Sequence, residues 1–190
     1  MATGSRQFNY QPLKIILGII AALWIVLFIS WAAPSINAFG IRPRSIPGLI
    51  GILASPFLHG SIVHLAANTT GLFFLGLIFL TVERARAGYI IIPIYVLSGL
   101  GTWIIGRSGS VHIGASGVIY GLLGYLLFIG IFRRSFWTIL MSAAILLLYG
   151  GALWGVLPQI GYPQISWEGH LSGFLAGIVT AKAEANMTSK

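Results

Sequence analysis

The chain has 190 residues, of which 57% are hydrophobic and only 7% are charged. Soluble domains carry about 25% charged residues, so this composition excludes a soluble globular protein and predicts a polytopic membrane protein. The formal net charge is +8, but the basic residues are scattered between apolar runs, which argues against a nucleic-acid-binding surface. The chain has no cysteine, which excludes disulfides, iron–sulfur clusters and thiol catalysis.

Apolar runs of roughly the 20 residues that cross a bilayer occur six times along the chain. The expected spans are Leu13–Ala33, Ser61–Val82, Tyr89–Ile105, Ile113–Phe132, Trp137–Leu157 and Glu168–Lys182. They predict an all-α bundle of six transmembrane helices in one domain over residues 13–182, with tails at 1–12 and 183–190. The connection 34–60 is long and partly apolar, so we expect it to lie in the membrane interface.

Basic residues are distributed unevenly over the two sides of such a six-span protein. With both termini on the inner side, only Arg42, Arg44 and Arg107 lie outside. The other eight of the eleven basic residues are Arg6, Lys14, Arg84, Arg86, Arg133, Arg134, Lys182 and Lys190. This bias predicts cytoplasmic termini, and the expected location is the plasma membrane of a prokaryotic-type cell.

Three of the expected spans carry polar residues near their outer ends. Ser116 belongs to the fourth span, about one turn inside it, and His170 to the sixth. His64 and Asn68 share one face of the second span because they are four residues apart. At 1.5 Å per residue all four lie roughly 5–12 Å below the outer surface. Ionisable groups inside spans are usually functional, so the shared depth predicts one site built from three helices.

The residue types in this site favour hydrolysis. The hydroxyl of Ser116 becomes a nucleophile when a base removes its proton, and His170 is the candidate base. The chain contains no aspartate, which excludes a Ser-His-Asp triad. Asn68, His64 and the backbone N–H of Ser116 are candidate donors to the oxyanion that forms during such a reaction. A Ser-His pair would therefore act without a third member.

Residues around the candidate pair predict how it is positioned. Tyr120 lies one helical turn after Ser116, and we expect its ring to stack on the imidazole. Gly114, Gly117, Gly169 and Gly173 flank the serine and the histidine. Small residues at such spacing let two helix backbones approach closely, which a short serine side chain needs in order to meet an imidazole.

Together, these motifs resemble the rhomboid family of intramembrane serine proteases. The matching motifs are Gly114-Ala115-Ser116-Gly117 for the family's GxSG, His64-Leu65-Ala66-Ala67-Asn68 for its HxxxN, and the glycine–histidine pattern of residues 169–177. The resemblance covers residues 13–182, nearly the whole chain. Many family members carry a Trp-Arg pair in the first loop, where this chain has Ile41-Arg42-Pro43-Arg44.

The resemblance implies a function and a role for each matched residue. Ser116 would be the nucleophile and His170 the base, with Asn68 and His64 in the oxyanion hole and His59 as a structural histidine. The implied activity is cleavage of single-span transmembrane proteins, in or near their spans, by an endopeptidase in the lipid bilayer. The resemblance implies no metal, no cofactor and no nucleic-acid partner.

Other functional classes share this composition. A membrane protein that binds client helices without cutting them would use the same polar cluster, although the retained Ser116 and His170 favour an enzyme. A transporter is disfavoured because the chain shows no inverted repeat of broken helices. Aspartyl and zinc intramembrane proteases are excluded, since the chain has neither aspartate nor an HExxH motif.

Overall fold

The computed structural model describes residues 9–158, 160–162 and 164–188, and the regular structure in these ranges is helical apart from one β-bridge. The long helices are α1 (Gln11–Ala32), α2 (Ile62–Gly71, continued by a π-helical turn Leu72–Gly76 and by Leu77–Glu83), α3 (Ala87–Ile105), α4 (Ser116–Arg133), α5 (Phe136–Tyr149, continued by a 3-10 helix Gly150–Val156) and α6 (Trp167–Thr188). Short helical turns at Pro34–Phe39, Ile46–Ile50, Gly51–Ala54 and Ser55–Phe57 connect α1 to α2. The predicted all-helical fold is therefore confirmed.

Four stretches of the described chain are long and apolar enough to cross a membrane. They are Gln11–Ala32, Ile62–Ile105, Ser116–Arg133 and Phe136–Val156. The second has 44 residues, roughly 66 Å of continuous helix at 1.5 Å per residue, about twice the thickness of a bilayer core. It is interrupted at Arg84, where a φ of 46° ends α2 before α3 begins. The helix α6 is not among the four stretches, so the count of six spans stays a prediction.

The predicted start of the fourth span differs from the structure for a local physical reason. The helix α4 begins at Ser116 rather than Ile113, because Gly114 has a φ of 115° and His112 forms the β-bridge with Ile41. The expectation that Ser116 lies one turn inside a helix is therefore wrong, since it is the first helical residue.

The two expected tails are also partly helical. At the carboxyl end α6 continues to Thr188, so residues 183–188 extend the helix and Glu184 is buried. At the amino end, residues 1–8 of the expected tail lie outside the described residues, and Gln11 and Pro12 begin α1.

The helix α4 forms the centre of the bundle. Ten of its residues are buried, among them Tyr125, Leu126 and Ile129, each with no exposed surface. Phe79 of α2 packs edge-on against Tyr125, with ring centroids 5.6 Å apart. The α4 helix carries the candidate nucleophile at its first residue, so this packing fixes the position of the site relative to the rest of the bundle.

A buried ionic cluster joins the helix ends opposite the candidate site. Arg133 donates two hydrogen bonds of 2.8 Å to the carboxylate of Glu83, and its Nε lies 3.0 Å from Glu184. Its guanidinium also contacts the hydroxyl of Tyr125 at 3.2 Å. Arg86 pairs with Glu184 at 2.7 Å and with Glu83 at 3.3 Å. The ends of α2 and α4, the start of α3 and the last turns of α6 are therefore tied together.

Removal of the Arg133 side chain is expected to destabilise the fold strongly. Arg133→Met leaves the carboxylates of Glu83 and Glu184 without their main partner, and an uncompensated buried charge costs about 3–5 kcal/mol. Arg134→Met, next in the chain but exposed and outside the ion pairs, should change stability by less than about 1 kcal/mol. Reversible unfolding of both variants in mixed micelles measures the difference, and equal losses would contradict the central role of Arg133.

Candidate active site

The candidate nucleophile lies at the amino end of the central helix. Ser116 is the first residue of α4, so its backbone N–H has no acceptor within the helix. The partial positive charge of the helix dipole is concentrated at this end. The preceding Gly114 adopts a conformation that favours glycine, and its N–H donates to the carbonyl of Ser55 at 2.8 Å. A hydroxyl and an unpaired N–H thus share one polarised helix end.

Glycines bring α4 into backbone contact with α6. A Cβ atom placed on Gly173 would overlap the carbonyl oxygen of Gly117, and one on Gly177 would overlap that of Gly121. A Cβ on Gly124 would likewise collide with the carbonyl of Phe174. The two helices can approach this closely only because side chains are absent at these positions.

His170 is the fourth residue of α6, and two contacts hold its ring. The ring of Tyr120 stacks on it with the planes 9° apart and the centroids 4.1 Å apart. The Nδ1 atom of His170 lies 3.0 Å from the carbonyl oxygen of Gly155. A carbonyl can only accept a hydrogen bond, so Nδ1 carries the proton and Nε2 of the neutral ring keeps its lone pair. The imidazole is therefore in the tautomer that a general base requires.

The structure brings Ser116 and His170 onto contacting helices but does not join them by a hydrogen bond among the described residues. Tyr120, which stacks on His170, lies one turn beyond Ser116 on the same helix. Catalytic hydrogen bonds are often long in enzymes without substrate and tighten when it binds. The observed arrangement is consistent with a pair that closes on a substrate.

The predicted oxyanion donors gather on the other side of the serine motif. Asn68 is 5% exposed, and its Nδ2 lies 2.9 Å from Nε2 of His59. The rings of His59 and His64 are perpendicular neighbours, with centroids 5.1 Å apart. A Cβ atom on Gly114 would lie 2.6 Å from Nε2 of His64 and 3.3 Å from Nδ2 of Asn68. The loop before Ser116 therefore lies directly against both side chains.

A small cavity of about 30 Å³ lies beside Ser116. Its polar lining includes Ser98, Thr102, His112 and Ser166, and His170 does not line it. The volume is large enough for one water molecule, and the hydroxyl groups provide the polar partners that such a water needs. Among the described residues, no group of three or more histidine, cysteine or acidic side chains could hold a metal ion.

Several known proteins are similar in sequence to this chain. A model of the Rhomboid domain matches residues 47–185, more than half of the chain. An uncharacterized protein of Mycobacterium tuberculosis is 42% identical over 173 residues, covering 87% of this chain and 72% of the relative. A putative rhomboid protease of Bacillus subtilis is 30% identical over 180 residues, covering 90% and 86% of the two chains. RHOMBOID-like protein 4 of Arabidopsis thaliana is 35% identical over 138 residues, covering 67% of this chain and 33% of the relative.

The chain belongs to the rhomboid family. The resemblance inferred from the three motifs is thereby confirmed, as is its consequence that this rhomboid is a membrane protein with several apolar helices.

Sequence reasoning missed His112, which connects three segments of this rhomboid. Its backbone pairs with Ile41 through two hydrogen bonds of 2.9 Å, and its ring nitrogens lie 2.7 Å from Oγ of Ser110 and 2.6 Å from Oγ of Ser166. Ser166 immediately precedes α6, and its Oγ accepts from the N–H of Gly169 at 3.3 Å. His112 thus links the first loop to the helix that carries His170.

Burial sets the charge of the two histidines outside the spans. It lowers the pKa of His59 to about 4, and the neighbouring His64 contributes in the same direction. Burial also lowers the pKa of His112, while the carboxylate of Glu168 acts in the opposite direction. Both rings are therefore neutral at pH 7, and each has one donor and one acceptor nitrogen.

Sequence reasoning also missed the contact of His170 with Gly155. A backbone carbonyl has no signature in the sequence, so only the fold could reveal it. The carboxylate of Glu168, two residues before His170, forms an ion pair of 2.7 Å with Arg107.

The backbone contact between α4 and α6 gives a testable consequence for stability. Gly173→Ala places a methyl group against the carbonyl of Gly117 and should destabilise the protein by about 1–3 kcal/mol, the usual cost of overpacking. Gly18→Ala is the matched control, because nothing lies within 4 Å of a Cβ at Gly18 in α1. The free energy of unfolding in micelles is measured for both variants. A Gly173→Ala protein as stable as the control would show that α4 and α6 can move apart to accommodate the methyl group without loss of stability.

Proposed function

We propose that this rhomboid is an intramembrane serine endopeptidase. It cleaves single-span membrane proteins in or near their transmembrane segments, with Ser116 as nucleophile and His170 as base. The observation that carries the proposal is the orientation of His170, which the Tyr120 ring and the Gly155 carbonyl hold with Nε2 free to accept a proton. A histidine needed only for packing would not require a defined tautomer.

The first half of the reaction forms an acyl-enzyme. As Oγ of Ser116 attacks the scissile carbonyl carbon, Nε2 of His170 takes its proton. The resulting oxyanion accepts hydrogen bonds from the Ser116 N–H and from Nδ2 of Asn68, with His64 beside them, and the dipole of α4 stabilises the same charge. His170 then gives its proton to the leaving amine as the C–N bond breaks.

The second half needs water within reach of the serine. The cavity beside Ser116 has the size and the hydroxyl lining to hold one molecule. His170 does not line the cavity, so the water moves from it to Nε2 of His170 and gives up a proton there as it attacks the acyl carbon. His170 returns the proton to Oγ of Ser116 when the ester bond breaks. The Gly155 carbonyl keeps Nδ1 protonated throughout and stabilises the imidazolium, a role that aspartate has in serine triads.

The proposed topology follows from the helices and the charges. Each of α1 to α6 crosses the bilayer once, and both termini lie in the cytoplasm, because the basic residues concentrate at the end where α1 begins and α6 ends. Mycobacterial relatives support a bacterial membrane as the location. The site then opens toward the outer side, where a substrate span leaves the bilayer.

Substitution of either member of the pair is expected to abolish proteolysis. The purified chain, reconstituted in lipid bilayers, should cut a single-span reporter, and Ser116→Ala and His170→Ala should each lower the rate at least about 1,000-fold. Ser172→Ala, a serine of α6 close to Gly101 of α3, is a control for loss of a serine hydroxyl. Mass spectrometry of the products locates the cut.

A different outcome would favour another function. If Ser116→Ala cleaves as well as the parent chain, the nucleophile is misassigned. If the parent chain binds reporters but cuts none of a panel, the protein handles client helices without proteolysis.

The orienting contact of His170 can be tested separately from the pair itself. Gly155→Ala places a methyl group on the hydroxyl of Tyr120 and 3.4 Å from Nδ1 of His170, and a displacement of about 1 Å can cost roughly 100-fold in rate. Gly151→Ala lies in the same 3-10 segment with nothing within 4 Å of the added methyl, and should retain full activity. Measured kcat should fall in the first variant with little change in KM, and equal rates in both variants would contradict the orienting role.

A further inference from the structure

A second cavity, of about 250 Å³, lies far from the candidate site, where α1 begins and α2 ends. Its apolar lining includes Pro12, Ile15 and Leu80, and its polar lining consists of Asn9, Gln11 and Arg84. Ile15 is 41% exposed, and Ile19, one turn further along α1, is exposed to the same extent. The cavity therefore continues into an apolar surface that faces the bilayer.

This end of the bundle has more positive charge than the protein can neutralise. The chain has only three carboxylate side chains, and all of them are engaged: Glu83 and Glu184 with Arg133 and Arg86, and Glu168 with Arg107 at the opposite end. No acidic side chain is left for the remaining cations at this end, which are Lys14, Arg84, Arg134 and Lys182. The counter-charge must come from outside the protein.

Arg84 is the cation that lines the cavity, and its backbone is strained. Its φ and ψ are 46° and −119°, a combination that favours glycine. The side chain is exposed, and its Nε donates a long hydrogen bond, of 3.4 Å, to the carbonyl of Thr81. Strain that persists at a non-glycine residue points to a function for its side chain.

We propose that this cavity binds one anionic phospholipid. The guanidinium of Arg84 pairs with the headgroup phosphate in the fork geometry that suits phosphate, and the amides of Asn9 and Gln11 supply further donors. One acyl chain lies along Ile15 and Ile19. The positive end of the α1 dipole adds to the attraction. The apolar surface along Ile15 and Ile19 favours a lipid over a free phosphate ion, because free phosphate would leave that surface uncovered.

Thermal unfolding of the full chain in detergent micelles tests this site without any measurement of proteolysis. Phosphatidylglycerol should raise Tm in proportion to the logarithm of its concentration, because a ligand that binds only the folded state stabilises it. Phosphatidylcholine should not. Native mass spectrometry should retain one phosphatidylglycerol per chain.

Two glycine substitutions separate the lipid contact from backbone strain. Arg84→Gly should raise Tm in detergent alone, since glycine tolerates this backbone, yet lose the rise that phosphatidylglycerol produces. Arg134→Gly is the matched control, because Arg134 also has a positive φ, of 52°, lies at the same end and does not line the cavity. It should keep the lipid-dependent rise in full.

Three results would overturn the proposal. An undiminished phosphatidylglycerol effect in Arg84→Gly would show that general surface charge binds the lipid. An equal effect of phosphatidylcholine would show that the cavity binds phospholipids through their acyl chains, whatever the headgroup. An equal rise with inorganic phosphate alone would identify the ligand as a free anion.

Discussion

Contact between the backbones of α4 and α6 is the constraint on which the candidate site depends. Gly117 and Gly121 present their carbonyls to Gly173 and Gly177, so neither helix can carry a side chain along this line. Helices in a bilayer gain little from the hydrophobic effect against one another, and close van der Waals packing replaces it. Because Ser116 and His170 lie at the same end of this line, the packing that holds the bundle also sets the distance between the two side chains.

Ion pairs at both ends of the bundle limit sliding of the helices along that line. At one end Arg133 joins the ends of α2 and α4 to α6, and at the other Arg107 holds Glu168 beside the start of α6. A shift of α6 by one residue, about 1.5 Å, would break pairs at both ends. The depth of His170 relative to α4 is therefore determined by charges far from its ring. All three acidic side chains, Glu83, Glu168 and Glu184, are accordingly buried.

The sequence was sufficient to predict the helices and the grouping of polar residues, because apolar length and four-residue spacing are local properties. Tyr120 follows Ser116 by one turn, and that spacing alone predicted the observed stack on His170. Features that depend on distant segments could not be predicted. The start of α4 depends on the pairing of His112 with Ile41, and the tautomer of His170 depends on a carbonyl of Gly155. The helical extension to Thr188 depends on Glu184 finding Arg86 and Arg133 across the bundle.

The segment 150–156 has a thermodynamic consequence for the base. Its carbonyls bind both rings of the stacked pair: Ala152 accepts from the hydroxyl of Tyr120 at 2.8 Å, and Gly155 contacts His170. None of its residues is fully buried, although Ala152 and Leu153 pack against the hydrophobic core. If the segment moved away, Nδ1 would lose its acceptor and the proton affinity of Nε2 would change. By linkage, a proton or ligand that binds at Nε2 must in turn alter the position of the segment. The proton affinity of His170 and the conformation of this half-buried segment are thus two readouts of one equilibrium.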